Sequence, residues 1–230
     1  MRELIVAIDG PSGVGKSTLS KLLAKHLGYH NLDTGAMYRA VALAAQRLQI
    51  CPDDNEALGR LASTLSIDFQ RLGDGAERAL LNGEDVSEAI RAPEVSLLTS
   101  QISACPAVRE AMVRRQRELG ANGGVVLEGR DIGSNVFPDA EVKFFLKATA
   151  AERGRRRYEE LKAKGSQITL QQTIANVEAR DTADSQRQHA PLLQAADAIA
   201  IDTTSLSIED VLTQMLAVVR ARRIATGLPA

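Results

Sequence analysis

Residues 7–21 read AIDGPSGVGKSTLSK, and they follow straight on from Leu4-Ile5-Val6. The apolar run ends at Asp9 and gives way to a glycine, four residues, a second glycine, a lysine and two hydroxyls. Gly10-Pro11-Ser12-Gly13-Val14-Gly15-Lys16-Ser17 fits G-x-x-x-x-G-K-[ST], set between a strand pattern and a helix pattern as that motif's mechanism requires. Glycines let the backbone curl until several N–H groups point at phosphate oxygens, and a helix opening near Lys16 adds the positive end of its dipole. Lys16 brings an ammonium to the β- and γ-phosphates, and the Ser17 hydroxyl suits Mg²⁺. The stretch through Thr18 therefore predicts a purine-triphosphate site, leaving open whether the γ-phosphate goes to water or to a second substrate.

Outward from this loop, strand and helix patterns alternate, which predicts an α/β fold with a parallel sheet wrapped by helices. Strand candidates are 4–8, 29–32, 125–127, 142–146 and 198–201; helical stretches are 16–27, 36–48, 106–119, 150–164, 169–188 and 207–222. Pro106 suits a first helical turn, and Ser207 with Asp210 forms a capping-box pattern. Segment 51–104 breaks the rhythm. Asn82-Gly83 between short extended runs is a hairpin signal, and with Ile67-Asp68-Phe69 and the LGDG turn at 72–75 it predicts a small antiparallel module inserted in the frame. The tail ATGLPA is expected to fray.

The 230 residues, 44% hydrophobic and 25% charged, describe an ordinary globular chain. A net charge of −1 argues against nucleic acid as a partner, the apolar runs are too short for a membrane span, and two cysteines without metal-like spacing suit a reducing compartment. Arginine dominates the basic residues, and its planar fork grips phosphate bidentately.

Three clusters supply candidates for a second anionic ligand. Asp33, Thr34, Tyr38 and Arg39 follow the second strand; Glu128, Arg130 and Asp131 follow Val125-Val126-Leu127; Arg180, Asp184 and Arg187 fall at i, i+4 and i+7, which stacks all three on one helix face. Bland readings stand beside these. Asp33 suits a helix cap, and the Arg–Asp face suits a solvated ladder. The run AERGRRRYEELKAKG adds Arg153, Arg155, Arg156 and Arg157, of which Arg153 and Arg155 read best as an exposed basic turn.

Together the stretches IDGPSGVGKST, LDTGAMYRA, LNGEDVSEAIR, TSQISACPAVREAMVRRQR, EGRDIGSNVFPDAEVKFFL, AERGRRRYEEL, ARDTADSQRQHAPL and IDTTSLSIEDV resemble the bacterial cytidylate kinases of the nucleoside monophosphate kinase superfamily, in order along nearly the whole chain. The resemblance implies one P-loop NTPase domain over 1–230 with a five-stranded parallel sheet. Within it lie an α+β monophosphate-binding insertion near 34–104 and a lid near 151–168. It implies MgATP plus CMP or dCMP giving ADP and the diphosphate, by a cytoplasmic monomer without nucleic-acid or membrane partners.

By the same likeness Thr34 and Arg39 meet the acceptor's phosphate, with Arg130 and Arg187 beside it, and Tyr38 belongs to the acceptor site. Ser100, Arg109 and Asp131 read cytosine, Arg180 and Asp184 reach the sugar, and Arg156 or Arg157 acts from the lid. The chemistry is consistent: a carboxylate takes the N4 amino donor of cytosine, while arginine or serine supplies its acceptors. The pair Ser134-Asn135 departs from the apolar or threonine-bearing pair the likeness leads one to expect, and it receives no role. A kinase for AMP, UMP or a non-nucleotide acceptor is the nearest alternative, and an ATP-dependent switch without a small acceptor is another.

Overall fold

The computed structural model describes residues 2–71, 77–163, 165–187 and 190–229. It divides into two compact units, Met1–Asn31 with Asn122–Ala230, and Leu32–Ala121.

In the first unit, β1 (Ile5–Asp9) carries five buried residues in a row and runs into α1 (Lys16–Leu27). After β2 (His30–Asp33), which straddles the division, the chain leaves for the second unit. It returns through β6 (Val125–Glu128), a single π-helical turn (Ile132–Val136), β7 (Val142–Lys147), α6 (Ala150–Ala163), α7 (Leu170–Ser185), β8 (Ile199–Asp202) and α8 (Ile208–Ala225). The sheet order is β2-β6-β1-β7-β8, with β1 parallel to both β6 and β7 and β7 parallel to β8. A central strand flanked on both sides must be apolar on both faces, which is why 5–8 reads as an unbroken hydrophobic run. Leu4, Val6, Ile8, Leu19, Leu23, Phe144, Leu146, Met215 and Val219 form this unit's core.

The second unit holds α2 (Thr34–Arg47), α3 (Asn55–Thr64), a three-stranded antiparallel sheet of β3 (Ile67–Arg71), β4 (Glu77–Leu81) and β5 (Glu84–Asp85), a 3₁₀ turn (Ala89–Arg91), α4 (Pro93–Ile102) and α5 (Pro106–Gly120). Its core is separate and is built on the buried face of α2, where Met37, Ala40, Val41, Ala44 and Ala45 meet Leu58, Ile67, Ile102, Val108 and Met112. Asn82 and Gly83 both take positive φ, 50° and 86°, as a two-residue hairpin turn requires. The antiparallel module is thus present but smaller than 51–104, which also holds α3, the 3₁₀ turn and α4. The predicted LGDG turn lies outside the described residues.

Two other expectations are corrected. The tail does not fray through Pro229: Leu228 is buried, its N–H donates to the Arg223 carbonyl, and Arg223 Nε donates to the Pro229 carbonyl. Helix α7 ends at Ser185, so Arg187 lies beyond it and not on its face.

Candidate active site

The phosphate loop occupies the turn from the C-terminal end of β1 to the first turn of α1. Gly10 sits at φ 145°, and a Cβ there would run into the carbonyl oxygen of Leu146 in β7. Gly13, at φ 81°, has Arg153 against it, whose Cβ would lie 3.1 Å from an added methyl. Gly15 caps α1 without offering a side-chain acceptor, so the first-turn N–H groups keep the anion-binding character of a helix start.

Two of the loop's carbonyls are held from outside it. Arg153 Nη1 donates to the Ser12 carbonyl at 3.1 Å and its Nε to the Ala148 carbonyl at 2.9 Å. The hydroxyl of Thr203 donates to the Val14 carbonyl at 3.2 Å. Carbonyls turned toward Arg153 and Thr203 are turned away from the cradle. Arg153, expected on an exposed turn, is therefore buried, and it also pairs with Asp181 of α7 at 2.5 Å. No sequence signal separated it from Arg155, which is exposed as expected and pairs with Glu152 and Glu159.

Lys16, the first residue of α1, is buried, and its ammonium donates to the carbonyls of Gly10 at 2.8 Å and Pro11 at 2.7 Å. Burial, aided by the Arg130 and Arg180 charges, holds its pKa well below that of a free lysine, while Glu128 and Asp9 oppose the shift. Asp9 ends β1 and is itself buried. Burial pushes its carboxyl up to about 6 against the N–H groups of Ile132 and Gly133, which donate to it at 2.8 and 2.7 Å. Glu128, also buried, ends β6 in register with Ile8. The exposed Ser17 and Thr18 complete the first turn.

The same unit gathers the later candidates. Asp184, with a side chain 3% exposed, accepts from Arg130 Nε at 2.8 Å and from Arg187 Nη2 at 2.5 Å; those two side chains are 19% and 15% exposed. Burial works against the Asp184 charge, but the Arg130 and Arg187 guanidiniums outweigh it and keep its pKa below the usual carboxylate value. Arg180, exposed on α7, adds charge felt by both Asp184 and Lys16. The cradle lysine and the arginines at 130 and 180 thus act on one another within a single unit. Asp131 is buried at the mouth of the π-helical turn. On α6, Arg156 donates to Glu152 and to the Thr203 carbonyl and hydroxyl, while Arg157 pairs with Glu160 at the surface.

In the second unit Asp33 does two things. One oxygen accepts the Ala36 N–H at 2.9 Å, capping α2, and the other accepts from Arg39 Nη2 at 2.8 Å. The helix cap and the ion pair coexist there. Thr34 is buried in the first turn of α2, and the buried Arg109 of α5 lies over the Tyr38 ring, 5.7 Å from its centre. Ser100 is exposed near the C-terminal end of α4.

Comparison with known proteins fits these features. The family model described as "Cytidylate kinase" matches residues 6–221. A protein named cytidylate kinase from Syntrophotalea carbinolica is 64% identical over 222 residues, covering 96% of this chain and 94% of the relative. One of the same name from Geobacter sulfurreducens is 59% identical, covering 98% and 96%. Among solved structures, an uncharacterised protein from Eubacterium ventriosum aligns with TM-score 0.53 at 10% identity, covering 94% of this chain and 98% of that one. A shikimate kinase from Bacteroides thetaiotaomicron aligns with TM-score 0.50 at 14% identity and the same coverages. At such identities these two speak for the fold alone, a parallel sheet with flanking helices. The motif order, the cradle and the match across 6–221 agree: the chain belongs to the cytidylate kinase family.

Proposed function

We propose that this chain transfers the γ-phosphate of MgATP to CMP or dCMP, giving ADP and CDP or dCDP, and so serves pyrimidine nucleotide metabolism. The observation that carries the reading is a phosphate loop in the same unit as Arg130 and Arg187, both braced on the buried Asp184, on a chain that matches its family over residues 6–221. The loop Gly10–Thr18 takes the donor phosphates: backbone N–H groups hold them and Lys16 neutralises the charge passing to the γ-oxygens. Arg130 and Arg187, braced by Asp184, take the acceptor's phosphate. Arg180 and Asp184 serve the sugar; Thr34 and Arg39 meet the acceptor's phosphate, and Tyr38 assists the acceptor. Arg156 or Arg157 adds charge from the segment 151–168, the lid in this reading, and 34–104 is its monophosphate-binding part.

Asp131 accepts the N4 amino protons of cytosine, and Arg109 with Ser100 donates to its acceptor atoms. Uracil reverses that donor pattern and leaves buried polar groups unmatched, which is the strongest form of rejection open to a pocket. The acceptor phosphate is already anionic at neutral pH, so alignment and charge neutralisation carry the rate and no strong base is needed.

The donor set suits Mg²⁺: the Ser17 hydroxyl is exposed on the first turn of α1, and the Lys16 ammonium feels two buried carboxylates, Glu128 and Asp9. Ser17 would hold the ion, which supplies neutralisation of the phosphate charge when bound. No helix among the described residues is long and apolar enough to cross a membrane, and the reading adds a monomer working in the cytoplasm.

An ADP-release assay across CMP, dCMP, UMP and AMP tests the proposal. CMP and dCMP should turn over well ahead of UMP and AMP. Preference for AMP would overturn the base reading, and ATP binding without turnover of any monophosphate would favour a switch.

A further inference from the structure

The pair Ser134-Asn135, without a role on sequence grounds, lies in the π-helical turn that follows Asp131. That turn is held from two directions. Its backbone is fixed where both Asp9 oxygens accept the Ile132 and Gly133 N–H groups, at 2.8 and 2.7 Å. Its key side chain is fixed separately: Asn135 Nδ2 donates to Asp131 Oδ2 at 2.9 Å, while the Asn135 N–H donates to the Asp131 carbonyl at 2.9 Å. An ionised carboxylate only accepts, so the amide must present its nitrogen to Asp131. Short π-helical insertions recur where a side chain has to be aimed.

From this geometry we infer that Asn135 is a positioning residue for base selection, holding the Asp131 carboxylate at the rotation that meets an exocyclic amino group and cannot turn away from a carbonyl in its place. The inference rests on the reading of Asp131 as the group that accepts from cytosine N4. A carboxylate free to rotate about its Cβ–Cγ bond relieves the clash with uracil O4 by swinging aside. One pinned by a neutral donor keeps both its full charge and its direction, so rejection survives. An arginine in place of Asn135 would fix the direction but weaken the acceptor.

The test compares kcat/KM for CMP with that for UMP in the full chain. Asn135→Leu keeps the size of the side chain and removes the donor; the CMP-to-UMP ratio should fall about tenfold, through the KM for the monophosphates, with the KM for ATP and the melting temperature close to native. Asn135→Asp sets a like charge against Asp131 and should lower the ratio further. Asp131→Asn serves as the arm that separates the two ideas, because it reverses the donor at the reading group itself. If Asp131→Asn collapses the ratio and Asn135→Leu leaves it native, the inference about Asn135 is wrong and the base reading stands. If Asp131→Asn leaves the ratio native, the reading of Asp131 fails and the inference goes with it. A variant at 135 that loses CMP and UMP activity in equal proportion also overturns the inference, since that is what a purely structural asparagine would do.

Discussion

Two arginine-rich regions of the first unit make a useful contrast. On α6, Arg155 is half exposed and bonded to Glu152 and Glu159, and Arg157 is half exposed and bonded to Glu160. Around Asp184, Arg130 and Arg187 share one carboxylate, and all three side chains are largely withdrawn from water. The first region has the higher density of arginine and the second the stronger claim to an anion. Surface pairs contribute a few tenths of a kcal/mol and are screened by salt, whereas two guanidiniums braced on a buried carboxylate are pre-aimed and poorly solvated. Counting arginines misleads; burial and sharing of partners tell the regions apart.

The contrast can be broken or sharpened by substitution. Lys16→Ala, which removes the ammonium that Arg130 and Arg180 act on, should lower turnover about a thousandfold with the fold intact, and near-normal turnover would remove the cradle from the mechanism. Asp184→Ala leaves two mutually repelling, largely buried guanidiniums. It should destabilise the chain by about 3 kcal/mol in denaturant titration and raise the KM for CMP, and a neutral outcome would reduce the cluster to an exposed ladder. Asp9→Asn addresses pH. Burial raises the Asp9 carboxyl to about 6, so the folded chain holds that proton more tightly than the unfolded chain does. This group therefore adds stability as pH falls from about 6 toward about 4, on the order of 3 kcal/mol, and costs that amount at neutral pH. The asparagine variant lacks this gain and should lose more stability than the native chain between about pH 7 and about pH 4.5; identical pH profiles would contradict the burial argument. Smallest of all, Arg155→Ala should change stability by less than about 0.5 kcal/mol and leave kcat/KM for CMP unchanged, and a large loss would move that arginine into the site.

Much of the architecture is legible from residues alone because local rules set it. The strand–loop–helix at 5–27, the Asn82-Gly83 turn and the box in which Ser207 and Asp210 cap α8 all follow from short-range chemistry. Misreadings arose where a distant partner decides. Arg153 is taken inward by the carbonyls of Ser12 and Ala148 and by Asp181, none of which marks position 153 as different from 155. Leu228 is kept by contacts with the end of α8, although its neighbours look like a loose terminus. Helices α3 and α4 hide in 51–104 because their apolar faces are short and their purpose is the second unit's own core. For the candidate site, residue types and spacing point to the guanidiniums and carboxylates, while the support from Asn135 and Thr203 appears only once the chain is folded.

The grip of Arg153 on the phosphate loop is to main chain and not to side chain, and that makes mutational tolerance uneven. A saturation library should accept many residues at Ser12, whose carbonyl is presented whatever side chain it bears. At 153 the same library should reject even lysine, which lacks the planar reach to serve two carbonyls and Asp181 together. The residue most exacting for the cradle would then be one that lies far along the chain from the motif itself.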